Sequence, residues 1–294
     1  MDTDRVLGAL LGTAVGDALG MPVDGLSHQN VRTYYKGIKG YRGDEHRRDL
    51  DAGQWTALTQ RTFALARVLA DSAPHATVRE RYTRELGPLD LRRPEAAGPS
   101  EAIVAITPLA LWSSYEGRTG RETVELVDAA LGDRREGGVL AAAVGQAVAV
   151  RYLLDRTPDA LDGPAFFRTV TEQTRQAEER IGGGRTVSDR LRSLAGNLDD
   201  FPLDLQDLCD GTGSAADEAW PFAVAMVARN PVLLEATILP AINVGGAASV
   251  IGACVGALVG ALHGWATFPP AWREGLEDVE QLEAEANAFA TALG

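Results

Sequence analysis

Apolar side chains recur at helical spacing through most of the chain, and nowhere do they alternate long enough to predict a strand. Windows 62–69, 122–131, 139–154, 166–179, 215–228 and 279–293 each carry that period. Asp71-Ser72-Ala73-Pro74 and Asp155-Arg156-Thr157-Pro158 stop the helices before them, with proline just past the end. Two further stretches are apolar nearly all round, one holding Leu7, Leu10, Leu11, Val15 and Leu19, the other Ile251, Val255, Leu258, Val259 and Leu262. Each also places glycine at every fourth residue, Gly8-Gly12-Gly16-Gly20 and Gly252-Gly256-Gly260-Gly264. A glycine costs about 1 kcal/mol against alanine inside a helix. Four on one stripe therefore predict a helix whose backbone is approached closely by another. The expectation is an all-α protein of about a dozen helices with both ladders in its core.

The second ladder also raises a membrane reading, because residues 238–272 contain no Asp, Glu, Lys or Arg. Gly and Ala dominate that run, Asn243 and Pro269-Pro270 interrupt it, and no basic cluster precedes it, so a buried helix is expected instead. With 294 residues, 45% hydrophobic and 23% charged, the chain is read as a single domain, residues 1–294. Stretches 42–51, 90–99 and 182–184 are read as loops within it. A net charge of −13 disfavours nucleic acid and anionic membrane as partners. Cys209 and Cys254 sit among apolar neighbours without metal-ligand spacing, and the first five residues are acidic where a signal peptide is basic, so a cytoplasmic protein is expected. The oligomeric state is left open.

The segment Gly8-Ala9-Leu10-Leu11-Gly12-Thr13-Ala14-Val15-Gly16-Asp17-Ala18-Leu19-Gly20-Met21-Pro22-Val23-Asp24-Gly25 resembles the opening motif of the ADP-ribosylglycohydrolase family, the superfamily of the dinitrogenase-reductase-activating glycohydrolase. Gly53-Gln54-Trp55-Thr56-Ala57-Leu58-Thr59-Gln60 resembles its Gly-x-Trp-Thr-Asp-Asp-Thr-x segment. Ile106-Thr107-Pro108-Leu109-Ala110-Leu111 is similar to the end of its Asn-Gly-x-x-Met-Arg-x-x-Pro segment. Asn243-Val244-Gly245-Gly246-Ala247-Ala248-Ser249-Val250-Ile251-Gly252 resembles its Gly-Gly-Asp-x-Asp-Thr signature, and Phe268-Pro269-Pro270-Ala271-Trp272 its closing segment. The motifs fall in family order across almost the whole chain.

The resemblance implies a compact orthogonal multi-helix bundle of the ADP-ribosylglycohydrolase type, whose cleft holds two magnesium ions and in which an ADP-ribosyl group is cut from a side chain, an ester or a polymer. Magnesium takes near-octahedral, anionic oxygen coordination, which the family supplies from the two aspartate segments. Here Ala57 and Leu58 stand at the first aspartate pair, Ala247 and Ser249 at the second, and Val250 replaces the following threonine. Thr56 and Ser249 retain only neutral hydroxyls, so no metal ligands are assigned and no magnesium cofactor is expected. Ser100 and Glu101 replace the Asn-Gly of a nucleotide-contacting loop, Ala105 replaces an arginine, and Arg134-Arg135 fall near a histidine position. The arginines are either ligand-facing or simply exposed.

Three acidic residues are candidates for catalysis. Asp17 belongs to the opening motif and reads equally as a catalytic group or as a helix-end residue binding backbone amides. Asp24, after Pro22, stands where the family has a glutamate and is read as lying on a loop at the cleft mouth. Glu101 is new relative to the family and pairs with Asp24 in an acid–base reading of glycoside hydrolysis. Asp210-Gly211-Thr212-Gly213-Ser214 precedes a helix. Its Gly211, Thr212, Gly213 and Ser214 read either as an anion site built on backbone amides or as a turn capped by Ser214. Thr56, Gly245, Gly246 and Ser249 complete the candidate ligand set. His28, His46, His75 and His263 are scattered, with His263 read as a packing residue. Tyr34-Tyr35 and Trp55 are read as base-stacking groups or as core and rim aromatics. The preferred function is a degenerate family member binding a small ribosyl- or nucleotide-like ligand without metal-dependent hydrolysis. The alternative is a metal-independent glycoside hydrolase or transferase on a ribosyl substrate, and a purely structural use of the fold is a third.

Overall fold

A computed structural model describes residues 2–43, 49–71, 77–87, 100–117, 120–132, 138–182 and 184–294. His46, His75, Arg134, Arg135, the 90–99 loop, residues 44–48 of the 42–51 loop and the Ser72-Ala73-Pro74 stop lie outside the described residues. The helices in chain order are α1 Thr3–Gly20, α2 His28–Asn30, α3 Ala57–Ala70, α4 Val78–Leu86, α5 Glu101–Val104, α6 Thr107–Tyr115, α7 Gly120–Leu131 and α8 Val139–Leu154. They continue as α9 Gly163–Ile181, α10 Thr186–Leu194, α11 Pro202–Leu208, α12 Ala216–Arg229, α13 Leu234–Asn243, α14 Ala248–His263, α15 Pro270–Glu274 and α16 Val279–Ala292. Among the described residues there is no strand, only an isolated bridge between Ser27 and Gly245. The fold is all-α, as expected.

The two glycine ladders are the axis of the molecule. Helices α1 and α14 run antiparallel and touch through backbone: a methyl placed on Gly16 would lie 1.8 Å from the Gly252 carbonyl oxygen, one on Gly12 2.3 Å from Gly256, and one on Gly8 2.3 Å from Gly260. The reciprocal approaches are equally short, 2.0 Å from Gly256 to Gly12 and 1.9 Å from Gly260 to Gly8. No side chain fits between these helices, which accounts for a run of glycines that would otherwise weaken both.

Around this pair α3 and α16 pack on α1, while α8, α12 and α13 pack on α14, and α9 and α10 lie outside α8 and α12. One contiguous buried cluster extends from Val6 to Leu293. Its polar interruption is paired: Trp220 Nε1 donates to Gln146 Oε1 at 2.9 Å, and Gln146 Nε2 donates to the Cys254 carbonyl at 3.4 Å, tying α12, α8 and α14 together. Asp162 caps α9 through the Ala165 amide at 2.8 Å, and Gly182 ends it in the left-handed region at φ 68°. Glu178, near the end of α9, accepts the Val187 and Ser188 amides of the first turn of α10.

Cys209 and Cys254 are buried free thiols whose pKa values burial pushes up to about 12. His263 Nε2 lies 2.7 Å from the Pro231 carbonyl, and burial holds its pKa below the ordinary value. Among the described residues one segment, Thr3–Val23, is long and apolar enough to cross a membrane, and 94% of its apolar window is buried inside the molecule.

Candidate functional site

The first candidate element forms where the end of α1 meets the start of α3. Asp17, in the last turn of α1, is fully buried, and both of its oxygens are occupied. Oδ2 accepts from the Thr56 amide at 2.8 Å, the Thr59 amide at 3.3 Å and the Thr59 hydroxyl at 2.8 Å, while Oδ1 accepts from the Thr56 hydroxyl at 2.9 Å. Two orphan amides at the start of a helix are thereby satisfied by a carboxyl from another helix. Burial outweighs the four donors and raises the Asp17 pKa from 3.8 to about 6. Of the two readings of Asp17, its hydrogen bonds follow the helix-end one. Thr56, read as a ligand contact, spends its hydroxyl proton on Asp17.

Asp24 closes the short 3-10 turn Met21–Val23 and accepts the Ser249 amide at 3.0 Å. It is 3% exposed, so the expected position at an open cleft mouth is corrected: the carboxyl lies underneath, against the first turn of α14. Gly25 and Leu26 then bond Gly246 in both directions, Gly25 N to Gly246 O at 2.6 Å and Gly246 N to Leu26 O at 2.8 Å. This locks the chain after α1 onto the loop before α14.

Gly245 and Gly246 sit in the left-handed region, φ 83° and 71°, and serve close approach to the chain itself. A methyl on Gly245 would lie 2.1 Å from the Leu26 carbonyl oxygen, and one on Gly246 2.0 Å from that of Thr212. The 211–214 segment is committed in the same way. Ala247 N donates to Thr212 O at 2.6 Å, the Thr212 hydroxyl donates to Gly245 O at 3.1 Å, and Gly213 N donates to Glu218 Oε2 at 2.8 Å. The N-cap of α12 is Ala215 with no side-chain bond, so of the two readings of this segment the Ser214 cap is corrected. Glu218 supplies the missing acceptor by reaching back from the first turn. Gly211, at φ 117°, faces open space.

Glu101, in the first turn of α5, forms a buried ion pair with Arg61 of α3, Arg61 Nη1 donating to Glu101 Oε2. Helix α5 packs on α3, α8 and α14. Glu101 Oε1, Arg61 Nε and the hydroxyl oxygens of Ser100 and Ser249 are buried without a hydrogen-bond partner among the described residues. The sequence reading missed Arg61, Thr59 and Glu218. Arg61 lies one turn beyond Ala57 and is buried together with Thr62, Phe63 and Ala64, an unusual place for a charge that the polar Thr59-Gln60 before it does not announce in the sequence. Trp55 is a core residue, donating from Nε1 to the Glu277 carbonyl at 2.9 Å, whereas Tyr34 is exposed.

The family model for ADP-ribosylglycohydrolase matches residues 1–294. The chain belongs to the ADP-ribosylglycohydrolase family. A protein of Archaeoglobus fulgidus, described only as uncharacterized, is 27% identical over 308 residues, covering 95% of this chain and 94% of its own. The uncharacterized protein YegU of Escherichia coli is 25% identical over 342 residues, covering 100% of this chain and 97% of its own. An ADP-ribosylglycohydrolase-related protein complex has a similar fold, with a TM-score of 0.70 at 23% identity over 99% of both chains.

On this ADP-ribosylglycohydrolase scaffold, the positions at which the motifs resemble metal-binding segments are closed. Ala57 is 0%, Leu58 1%, Ala247 8% and Ser249 1% exposed. Three of the four end in carbon. Among the described residues no group of three or more His, Cys, Asp or Glu side chains is placed to hold a metal ion.

Proposed function

We propose that this ADP-ribosylglycohydrolase-family protein binds an ADP-ribose-, nucleotide- or ribosyl-type ligand in the family cleft and does not perform magnesium-dependent hydrolysis. The observation that carries the reading is the closure of Ala57, Leu58, Ala247 and Ser249. A divalent ion at this place needs anionic oxygens to offset its dehydration. The residues do not fit: the Thr56 hydroxyl is spent on Asp17, Ser249 offers one neutral oxygen, and Asp24 accepts the Ser249 amide. The alternative, metal-independent glycoside hydrolysis or transfer with Asp24 and Glu101 as the carboxyl pair, is less favoured because Glu101 is held by Arg61 and Asp17 by α3. The reading includes a cytoplasmic location, supported by the two buried unpaired thiols, and no nucleic acid partner, supported by the net charge of −13. Calorimetric titration with ADP-ribose in chelator and in excess magnesium, followed by analysis of the recovered ligand, tests it. Equal affinity in both buffers with intact ligand is expected; magnesium-dependent binding or release of free ribosyl product overturns it.

A further inference from the structure

The C-terminal end of α8 carries a pocket of about 330 Å³ where α6, α7 and α9 meet it. Arg151, Tyr152, Asp155, Arg156, Thr169 and Gln173 supply its polar lining. Its lining residues on α8, Ala147, Val148, Arg151 and Tyr152, belong to the last turns of that helix, and the lining includes none of Ala57, Leu58, Ala247 and Ser249. Its two arginines and one aspartate give the lining a net positive charge within a chain of net −13. Unlike most arginines of the structure, Arg156 pairs with no carboxylate among the described residues. It is immobilised instead: its guanidinium lies 3.6 Å from the Tyr152 ring centroid, and Nη1 donates to the Tyr152 carbonyl at 2.6 Å. The ring is fixed by a tilted contact with Phe166 at 5.4 Å. Arg5 of α1 clamps the turn itself, donating from Nη1 to the Leu154 carbonyl at 2.6 Å and to the Arg156 carbonyl. The remaining donors of the Arg156 guanidinium, the Tyr152 hydroxyl and the Gln173 amide have no partner among the described residues.

We infer that this pocket is a second binding site, specific for a hydroxylated phosphate monoester of sugar-phosphate size, with Arg156 taking the phosphate and Asp155 accepting from the hydroxyls. A guanidinium held flat on a ring has already lost the side-chain freedom that binding would otherwise remove, and its fork matches phosphate oxygens in pairs. Asp155 beside it selects a ligand that has hydroxyl donors as well as an anionic head, and disfavours one that is anionic throughout.

Calorimetry on the full chain with inorganic phosphate and with glucose 6-phosphate tests the site, using Arg156→Gln, Arg156→Lys and Asp155→Asn. Saturable binding of both probes is expected, tighter for the sugar phosphate. Arg156→Gln weakens both about tenfold or more, in line with loss of a charged hydrogen bond, and Arg156→Lys restores only part of the affinity. Asp155→Asn removes the preference for the sugar phosphate. Each variant's thermal melting is recorded to confirm that it folds. Absence of saturable binding in the unaltered chain, or equal affinity in folded Arg156→Gln, overturns the inference. ADP-ribose affinity reports separately on the cleft and is expected to be unchanged by Arg156→Gln; its loss in that variant would overturn the assignment of two sites.

Discussion

Replacing Asp17 by asparagine should change how stability depends on pH more than it changes the fold. In the native carboxyl, Oδ2 receives both amides, and asparagine can present its carbonyl oxygen there while its amide faces the Thr56 hydroxyl. The native group titrates at about 6 instead of 3.8. Between those values the folded state holds a proton that the unfolded chain has released, so stability falls as pH rises. The contribution is fully present below 3.8 and gone once the pH has risen through about 6. At ~1.4 kcal/mol per pH unit, the span corresponds to roughly 3 kcal/mol. Urea unfolding at a series of values from about pH 4 to about pH 8, extrapolated to water, gives the stability difference between Asp17→Asn and the native chain at each pH. Other carboxyls titrate in both proteins and cancel. The variant should gain on the native chain by about 2.5 kcal/mol across the range, mostly below pH ~6.5, because part of the span already lies below pH ~4. A difference that stays constant would refute the reasoning, because it would mean that the four donors from Thr56 and Thr59 compensate fully for burial.

Two further substitutions probe packing and charge. Gly16→Ala puts a methyl within 1.8 Å of the Gly252 carbonyl and should cost more than ~3 kcal/mol in thermal or urea unfolding, while Gly40→Ala, with nothing within 4 Å, should be nearly silent. Comparable small losses at both positions would contradict the backbone contact between α1 and α14. Arg61→Met should destabilise by roughly 3–5 kcal/mol, since it strands a buried carboxylate, and adding Glu101→Leu should recover most of that loss. A double variant as unstable as Arg61→Met alone would show that the pair is not the source of the cost.

The axis of the fold was readable from sequence because glycine ladders are expensive unless another backbone fills the space, and α1 and α14 meet through those residues. The 139–154 window coincides with α8 for a related reason: an unbroken apolar pattern leaves no competing period. Helices α2, α5 and α15 span only three to five residues, too few to reveal a period, so about a dozen expected helices became sixteen helical segments among the described residues. The motif residues were identified, yet what each one faces was not. Gly245 and Gly246 read as ligand contacts, and their close approach to Leu26 and Thr212 was not visible in the sequence. Asp24 looked like a rim residue because the turn before it ends in a proline-containing segment, but a long-range bond to Ser249 draws it inside. Arg61 drew no reading at all, since its partner Glu101 lies 40 residues away in the chain.

The absence of anionic oxygen at the paired aspartate positions is the center of the account, and direct magnesium binding is its shortest test. Calorimetric titration of magnesium into the chelator-treated chain should give only the heat of dilution, both with and without ADP-ribose. The same titration into a chain carrying Ala57→Asp, Leu58→Asp, Ala247→Asp and Ser249→Asp supplies the comparison for a folded, restored site. Saturable magnesium binding by the unaltered chain would contradict the account.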